Sequence, residues 1–540
     1  MLIDDFYNKH DRGNFYLGLV SRVQRDYCTV QVENLSLLSA RLLGEDNLAP
    51  NTIDYLVLID SEEGLFVGTV FQAHVKSSDA VHKTMDFGKS EAVYPELLIE
   101  LNGLIPRNSN SLELSGYSSV GITNKVYIGN EKLIKMFVES QEINKSDDES
   151  TLSFASLSRY KNASINLKTG TIFNRHLMAI GTTGSGKSTS SLTVLDKLVE
   201  QQKKFLMIDA TGEYKSAFCD NEVERLILGV DTQITPGTLS IPQWIGLFEA
   251  SPGIQAPSLM KAITSLRYQY AQGKTGVYTK IGKQTDVIQQ QLATLTEMNR
   301  EFDLNYLAAQ LVEESIKEGD KYGKPTGIYI ENTFNLNANQ YLIDRINFKL
   351  TMPSFKDFFC SVLKYSLINK LEEFLGNSKR LMIDASLIDT SDATGGIIID
   401  LVAQTLLNNG NKESQAFVFF VDEVHRYTKS LATDGENYYN GLIAMAREGR
   451  KKGQYLFLTT QSPHDVSKML LGQMGTLLIH RLTQPEELQV IRNYLDDKSL
   501  HQIKKLGRGE AILTSVNLLQ NLQLKMKRTK REHYNSSPSL

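Results

Sequence analysis

Residues 181–188 read GTTGSGKS, a full match to the pattern G-x-x-x-x-G-K-[ST]. Glycines at 181, 184 and 186 allow a loop to close around phosphate with its backbone N–H groups turned inward, and a helix starting behind it adds the positive end of its dipole. Gly181, Thr182, Thr183, Gly184, Ser185, Gly186 and Thr189 are expected to cradle the phosphates of ATP. Lys187 is expected to neutralise the β- and γ-phosphates, and Ser188 to bind Mg²⁺ through its hydroxyl.

Two further segments could complete a hydrolytic site. In AFVFFVDEVHRY an apolar run ends in Asp422 and Glu423, where Asp422 can hold the metal's water shell and Glu423 can polarise an attacking water. QYLFLTTQSP places Gln461 at another strand end, within reach of a γ-phosphate or the lytic water. Between them, AMAREGRKKGQ gathers Arg447, Arg450, Lys451 and Lys452 at a helix C-terminus, where cations complement the dipole without further role. In a ring, one of these arginines could instead reach a neighbour's γ-phosphate.

The elements that must position these groups follow from the hydrophobic pattern. HLMAI (176–180), the Gly-rich turn, a helical SLTVLDKLVEQQ and the apolar FLMIDA (205–210) read as strand, helix, strand on a parallel sheet. RLMIDAS, AFVFFVDE, QYLFLTTQ, TLLIHRL and AILTSV continue the pattern after a mostly helical stretch from 236 to 379. The expected fold is α/β, a RecA-like P-loop ATPase core split by a helical insertion. Residues 154–235 and 380–540, the latter with a frayed basic tail, form its two parts. Residues 1–143 carry short alternating runs without intervening helices, which predicts a small N-terminal β-barrel, and NKSDDESTLS (144–153) reads as a linker.

Composition narrows the setting. The chain has 540 residues, enough for two or three cores. Its three cysteines, Cys28, Cys219 and Cys360, lack metal-site or disulfide spacing, which favours a reducing compartment. The polar start and the lack of an 18-residue apolar run predict a soluble, cytoplasmic protein without a membrane partner. A net charge of −4 neither indicates nor excludes nucleic-acid binding.

With RHLMAIGTTGSGKS, MIDATGEY, VFFVDEVHRY, AMAREGRKKG, LTTQSP, IHRLTQPEEL and LGRGEAIL in this order, the chain resembles a HerA-type ATPase of the HerA/FtsK superfamily. The resemblance implies a homo-hexameric ring that hydrolyses ATP between subunits, moves along double-stranded DNA and works with an effector subunit. That effector is a nuclease or, in bacterial anti-phage systems, a sirtuin-like NAD-consuming protein. An ATP-gated scaffold that activates its effector without processive translocation is the alternative reading. The resemblance assigns Lys187 and Ser188 to phosphate and metal, Asp422 and Glu423 to the acidic pair, and Gln461 to sensing. It brings Arg175 to the nucleotide, with a surface salt bridge as the plain alternative, and makes Arg447 or Arg450 the finger acting in trans. In MIDATGEY it points to Asp209 and Glu213; Asp209, nearer the strand end, is favoured for orienting water, and Glu213 could merely cap a turn. Lys451, Lys452 and Arg481 are candidate DNA contacts or interface charges.

Overall fold

The structure, a computed structural model, describes residues 2–10, 12–33, 42–43, 46–47, 53–75, 94–143, 150–158, 160, 163–360, 365–387, 393–410, 414–428 and 441–532. Much of the expected linker (144–149) and the last eight residues lie outside them.

The expected barrel is present. Strands Tyr16–Val23, Tyr27–Val32, Glu96–Pro106, Gly64–His74, Leu56–Asp60 and Lys125–Ile128 close on one another in that order, every pairing antiparallel. Closure leaves no free edge, and inward residues such as Val30, Val57, Phe66, Ile99 and Val126 fill the interior. Cys28 is one of them, and burial pushes its thiol up to about 12, so it is an inert core side chain.

The remainder is built on one eleven-stranded sheet. Seven strands are parallel, in the order Thr476–Ile479, Leu177–Ile180, Gln454–Thr460, Phe417–Val421, Lys204–Asp209, Arg380–Asp384 and Val223–Ile227. Beyond Thr476–Ile479 the sheet continues antiparallel through Glu510–Ser515, Leu522–Met526, Thr151–Leu157 and Ser164–Lys168. The central strands read as unbroken apolar runs because both faces are covered. Phe417, Phe419 and Val421 enter one core while Val418 and Phe420 enter the other.

Residues 236–379 supply much of one covering layer. Trp244, Phe248, Leu259, Ile346 and Phe358 lie in the same hydrophobic cluster as Ile208, Leu226 and Ile383 of the sheet, so this segment packs as part of the main core. Besides helices such as Ile241–Leu247, Gln255–Ala271 and Thr333–Thr351 it contains an antiparallel hairpin, Ile316–Lys321 with Lys324–Glu331. The mostly helical reading overlooked this hairpin, because its strands are polar and largely exposed and so lack a buried alternation.

The described part of the tail is not frayed. Arg531 donates from both terminal nitrogens to Glu222 (2.7 and 2.9 Å) and from Nε to Asp196 (2.6 Å), and Thr529 also donates to Asp196. The tail thereby straps the helix Lys187–Glu200 to the loop before Val223–Ile227. Polar composition alone concealed this, since the partner carboxylates lie more than 300 residues away in sequence.

Candidate active site

The parallel strands end in register: Ile180 pairs with Thr460, Leu458 with Val421, Val421 with Ile208, and Asp209 with Asp384. One sheet edge therefore carries the glycine-rich turn, Gln461, Asp422, Glu423 and Asp209 side by side. Gln454–Thr460 lies between the P-loop strand and the acidic strand, which is why Gln461 can touch both neighbours.

The turn is held from behind. The Thr182 N–H and hydroxyl both donate to the Arg481 carbonyl (3.1 Å each), and the Gly509 N–H donates to the Ser185 carbonyl (3.0 Å). Gly186 has φ +105, and a Cβ there would lie 2.9 Å from the Gly509 nitrogen, so glycine is required on two grounds. The helix Lys187–Glu200 starts at the next residue. Thr183 and Gly184 form the exposed tip, Ser188 and Thr189 are half-buried, and Lys187 is only 4% exposed.

The Lys187 ammonium pairs with Glu423 Oε1. Gln461 Nε2 donates to the same oxygen (2.6 Å), while the Gln461 N–H donates to Glu423 Oε2 (3.2 Å) and His425 Nδ1 lies 3.3 Å from Oε2. The Thr183 hydroxyl donates to Gln461 Oε1 (2.5 Å), linking the turn's tip to Gln461 and hence to Glu423. Thr459 fixes both acidic residues, its hydroxyl donating to Asp422 Oδ1 and accepting from the Glu423 N–H (2.8 Å). Thr459 and His425 were not singled out from sequence, although both stand within the segments quoted there. Glu423 is held at φ +49, a left-handed conformation unusual for a non-glycine residue and characteristic of functional sites.

Electrostatics divides the two carboxylates. Burial opposes charge on Glu423, but the Lys187 ammonium and hydrogen bonds from Lys187 and Gln461 outweigh it and hold its carboxyl below the ordinary range. Burial pushes Asp422 up to about 6, with Lys187 opposing and Glu423 adding to the rise. Burial also lowers His425, so it is neutral near pH 7.

Asp209, favoured for orienting water, is spent on its own turn. It is fully buried, and its oxygens accept from the N–H groups of Thr211 (3.2 Å), Gly212 (2.8 Å) and Tyr214 (3.0 Å). That turn presents Glu213. Burial, then the neighbouring Asp422, Asp209 and Glu423 carboxylates, push Glu213 up to about 7.

The arginines lie elsewhere. Arg175 precedes Leu177–Ile180, and Arg447 and Arg450 precede Gln454–Thr460, so all three sit at the edge of the sheet opposite the chain's own P-loop. They share one exposed neighbourhood. His176 bonds the Ala446 carbonyl (2.9 Å), Arg450 lowers the neighbouring His176 after burial, and the Gly475 N–H donates to the Arg175 carbonyl (2.6 Å). Arg447 Nη2 lies 3.6 Å from Met469 Sδ. At about 3.3 Å per residue, the strands hold this cluster about 20 Å from the phosphate turn. Lys452 donates to the Leu407 carbonyl (2.6 Å) and closes a helix end, and Arg481 braces the P-loop through its carbonyl.

Hard oxygen donors suit Mg²⁺, and one buried hydroxyl of the turn bears on nucleotide binding. The buried Ser185 hydroxyl of the turn has no hydrogen-bond partner, as expected of a group reserved for a ligand. Ser188 and Asp422 supply the oxygen donors that could hold such an ion beside the phosphates.

The parallel sheet, a phosphate turn opening a helix, an interposed strand tipped by Gln461 and an acidic strand end define a P-loop nucleoside triphosphatase. Residues 154–402 match the family described as "Helicase HerA, central domain". A probable DNA double-strand break repair helicase HerA of Methanocaldococcus jannaschii is 23% identical over 397 residues, covering 66% of this chain and 72% of that protein. The DNA double-strand break repair helicase HerA of Sulfolobus acidocaldarius is 25% identical over 354 residues (63% and 62%). A probable helicase of M. jannaschii matches at 22% identity, and the alignment spans 61% of its length. Among solved structures, VirB4 of Thermoanaerobacter pseudethanolicus aligns with a TM-score of 0.49 at 12% identity, covering 72% of this chain and 99% of that one. The bacterial conjugative coupling protein TrwBΔN70 aligns at 0.48 and 14% (76% and 94%). The chain is an ATPase, and these matches support one of the HerA/FtsK type. No helix among the described residues is long and apolar enough to cross a membrane.

Proposed function

We propose that this chain hydrolyses ATP at the interfaces of a homo-hexameric ring and uses the energy to move along double-stranded DNA. The observation that carries this reading is the separation of the phosphate turn from Arg175, Arg447 and Arg450 by the full length of the sheet. A head-to-tail neighbour brings its arginine edge to this chain's P-loop edge, and repetition of that contact closes a ring.

In such a site Lys187 leaves Glu423 to hold the β- and γ-phosphates, and the turn's N–H groups bind the remaining oxygens. Ser188 and Asp422 would hold Mg²⁺, which neutralises charge developing on the phosphates. Glu423, kept ionised, orients the attacking water and accepts its proton, and Gln461 ties its position to the P-loop through Thr183. Glu213, on the turn built by Asp209, is close enough to feel the Asp422 and Glu423 carboxylates and is the better candidate for ordering water. Arg447 or Arg450 of the neighbour meets the γ-phosphate in trans.

The finer parts of this reading rest on family resemblance: a barrel that docks an effector, and an effector that is a nuclease or a sirtuin-like NAD-consuming enzyme acting in anti-phage defence. Steady-state ATP turnover with and without long duplex DNA, using Lys187→Ala and Glu423→Gln as blanks, tests the motor. Stimulation by DNA that falls with salt supports it. Turnover indifferent to DNA overturns translocation and leaves a scaffold.

A further inference from the structure

The strands Ile316–Lys321 and Lys324–Glu331 are joined by Tyr322 and Gly323 alone, and both joining residues have positive φ, +60 and +75. A two-residue loop with this backbone is a type I′ turn, which favours Asn-Gly or Gly-Gly because bulky side chains are strained in the left-handed region. Here the first position holds a tyrosine that is 93% exposed, so burial does not offset the strain.

Charge at the same point also runs against hairpin stability. Lys321 and Lys324 stand directly opposite one another across the strands, where like charges repel. Among the described residues neither makes an ion pair, and Lys321 Nζ lies 5.9 Å from the centre of the Tyr322 ring. The nearby carboxylates are committed to backbone: Asp320 Oδ1 accepts from the Gly323 N–H (2.9 Å) and Glu318 Oε1 from the Gly327 N–H (3.1 Å). The base of the hairpin is anchored, since the Gly282 N–H donates to the Tyr329 carbonyl (2.9 Å) and the Tyr329 N–H to the Lys283 carbonyl (3.1 Å). Every residue from 320 to 326 is exposed, so an anchored base carries a projecting tip with two unpaired cations and an aromatic ring. Local rules broken together at an exposed point, with no compensating contact inside the chain, mark a functional site.

We propose that this tip is a DNA contact: it enters the major groove of a duplex, with Lys321 and Lys324 on backbone phosphates and Tyr322 against the bases. The assignment rests on the reading that the chain acts on double-stranded DNA and gives that reading a site. The major groove, about 12 Å wide, admits a two-stranded ribbon. Two opposed lysines need closely spaced negative charge, and duplex DNA carries one charge per about 1.7 Å of its axis, which turns their mutual repulsion into two attractive contacts. This density favours DNA over an acidic protein surface.

Fluorescence anisotropy of a labelled duplex of mixed sequence, titrated with the full-length chain over a series of salt concentrations, tests the assignment. Lys321→Ala/Lys324→Ala is expected to weaken binding and to lower the slope of log affinity against log salt by about 2 for each hairpin engaged. Tyr322→Asn restores the favoured Asn-Gly turn, so it should melt no lower than wild type yet bind duplex about fivefold more weakly, the low end of an aromatic contact with a base, at an unchanged salt slope. ATP turnover without DNA should stay within error of wild type in both variants. A wild-type chain that binds duplex beside variants that bind equally well overturns the hairpin contact alone and hands the tip to an acidic protein partner. Tyr322→Asn melting below wild type with unchanged DNA affinity would make the tyrosine structural and overturn its role. A wild-type chain that fails to bind duplex overturns the proposed function and the contact together.

Discussion

If each site is shared, two inactive variants should repair one another. Lys187→Ala removes the phosphate-binding cation but keeps the arginine edge; Arg447→Ala/Arg450→Ala keeps the P-loop but removes the finger. About 20 Å of strand separates the two groups within one chain, beyond the reach of any side chain, so neither variant can complete a site by itself. An arginine finger contributes about 10³–10⁵ in kcat, so each variant alone should turn over at about 0.1% of wild type or less. Co-expressed at equal levels and purified through different tags, the two should assemble at random. A site works only where an Arg447→Ala/Arg450→Ala subunit offers its P-loop to the arginines of a Lys187→Ala neighbour, which occurs at about a quarter of the junctions of a head-to-tail ring. Steady-state phosphate release should therefore recover to about 25% of wild type, more than a hundredfold above either parent. Recovery no greater than the mean of the parents would refute trans completion and, with it, the ring geometry inferred from the opposed edges.

Glu423→Gln keeps the shape and most hydrogen bonds but cannot accept a proton, so turnover should fall by about 10²–10⁴ while fluorescent-nucleotide binding persists; loss of binding instead would show that the carboxylate builds the pocket. Gly186→Ala forces a Cβ to within 2.9 Å of the Gly509 nitrogen at φ +105, so nucleotide binding should vanish although far-UV circular dichroism remains native. Arg531→Gln releases the tail strap. Glu222, held at about 2 chiefly by its hydrogen bonds to Arg531 against an ordinary value of 4.5, contributes stability that is complete above pH 4.5 and lost as pH falls toward 2. The variant should thus melt a few degrees below wild type at pH 7, and the gap should close between pH 4.5 and 2; a gap independent of pH would remove the ion pair as its cause.

The chemistry was legible in sequence because each component is local. A phosphate turn needs its glycines, lysine and serine within eight residues, and an apolar run fixes which end of a strand presents Asp422, Glu423 or Gln461. The barrel was legible for the same reason, through alternation over a few residues. The composition of 236–379 gave helices but hid the polar hairpin Ile316–Glu331, which has no buried face to leave a pattern.

Tertiary structure decided what depends on strand order and on through-space charge. Only the sheet shows that Gln461 lies between P-loop and acidic pair, that Thr459 holds the Asp422 carboxylate and the Glu423 backbone, and that Asp209 is consumed by its own turn while Glu213 feels the Asp422 and Glu423 carboxylates. Only the sheet sets Arg175, six residues before Gly181, at the far edge from the phosphates, because a strand carries the chain straight across rather than back. Residue type and spacing specify which chemistry is present. Which side chains share an edge, and whose nucleotide an arginine can reach, is fixed by the long-range pairing of strands that sequence periodicity does not encode.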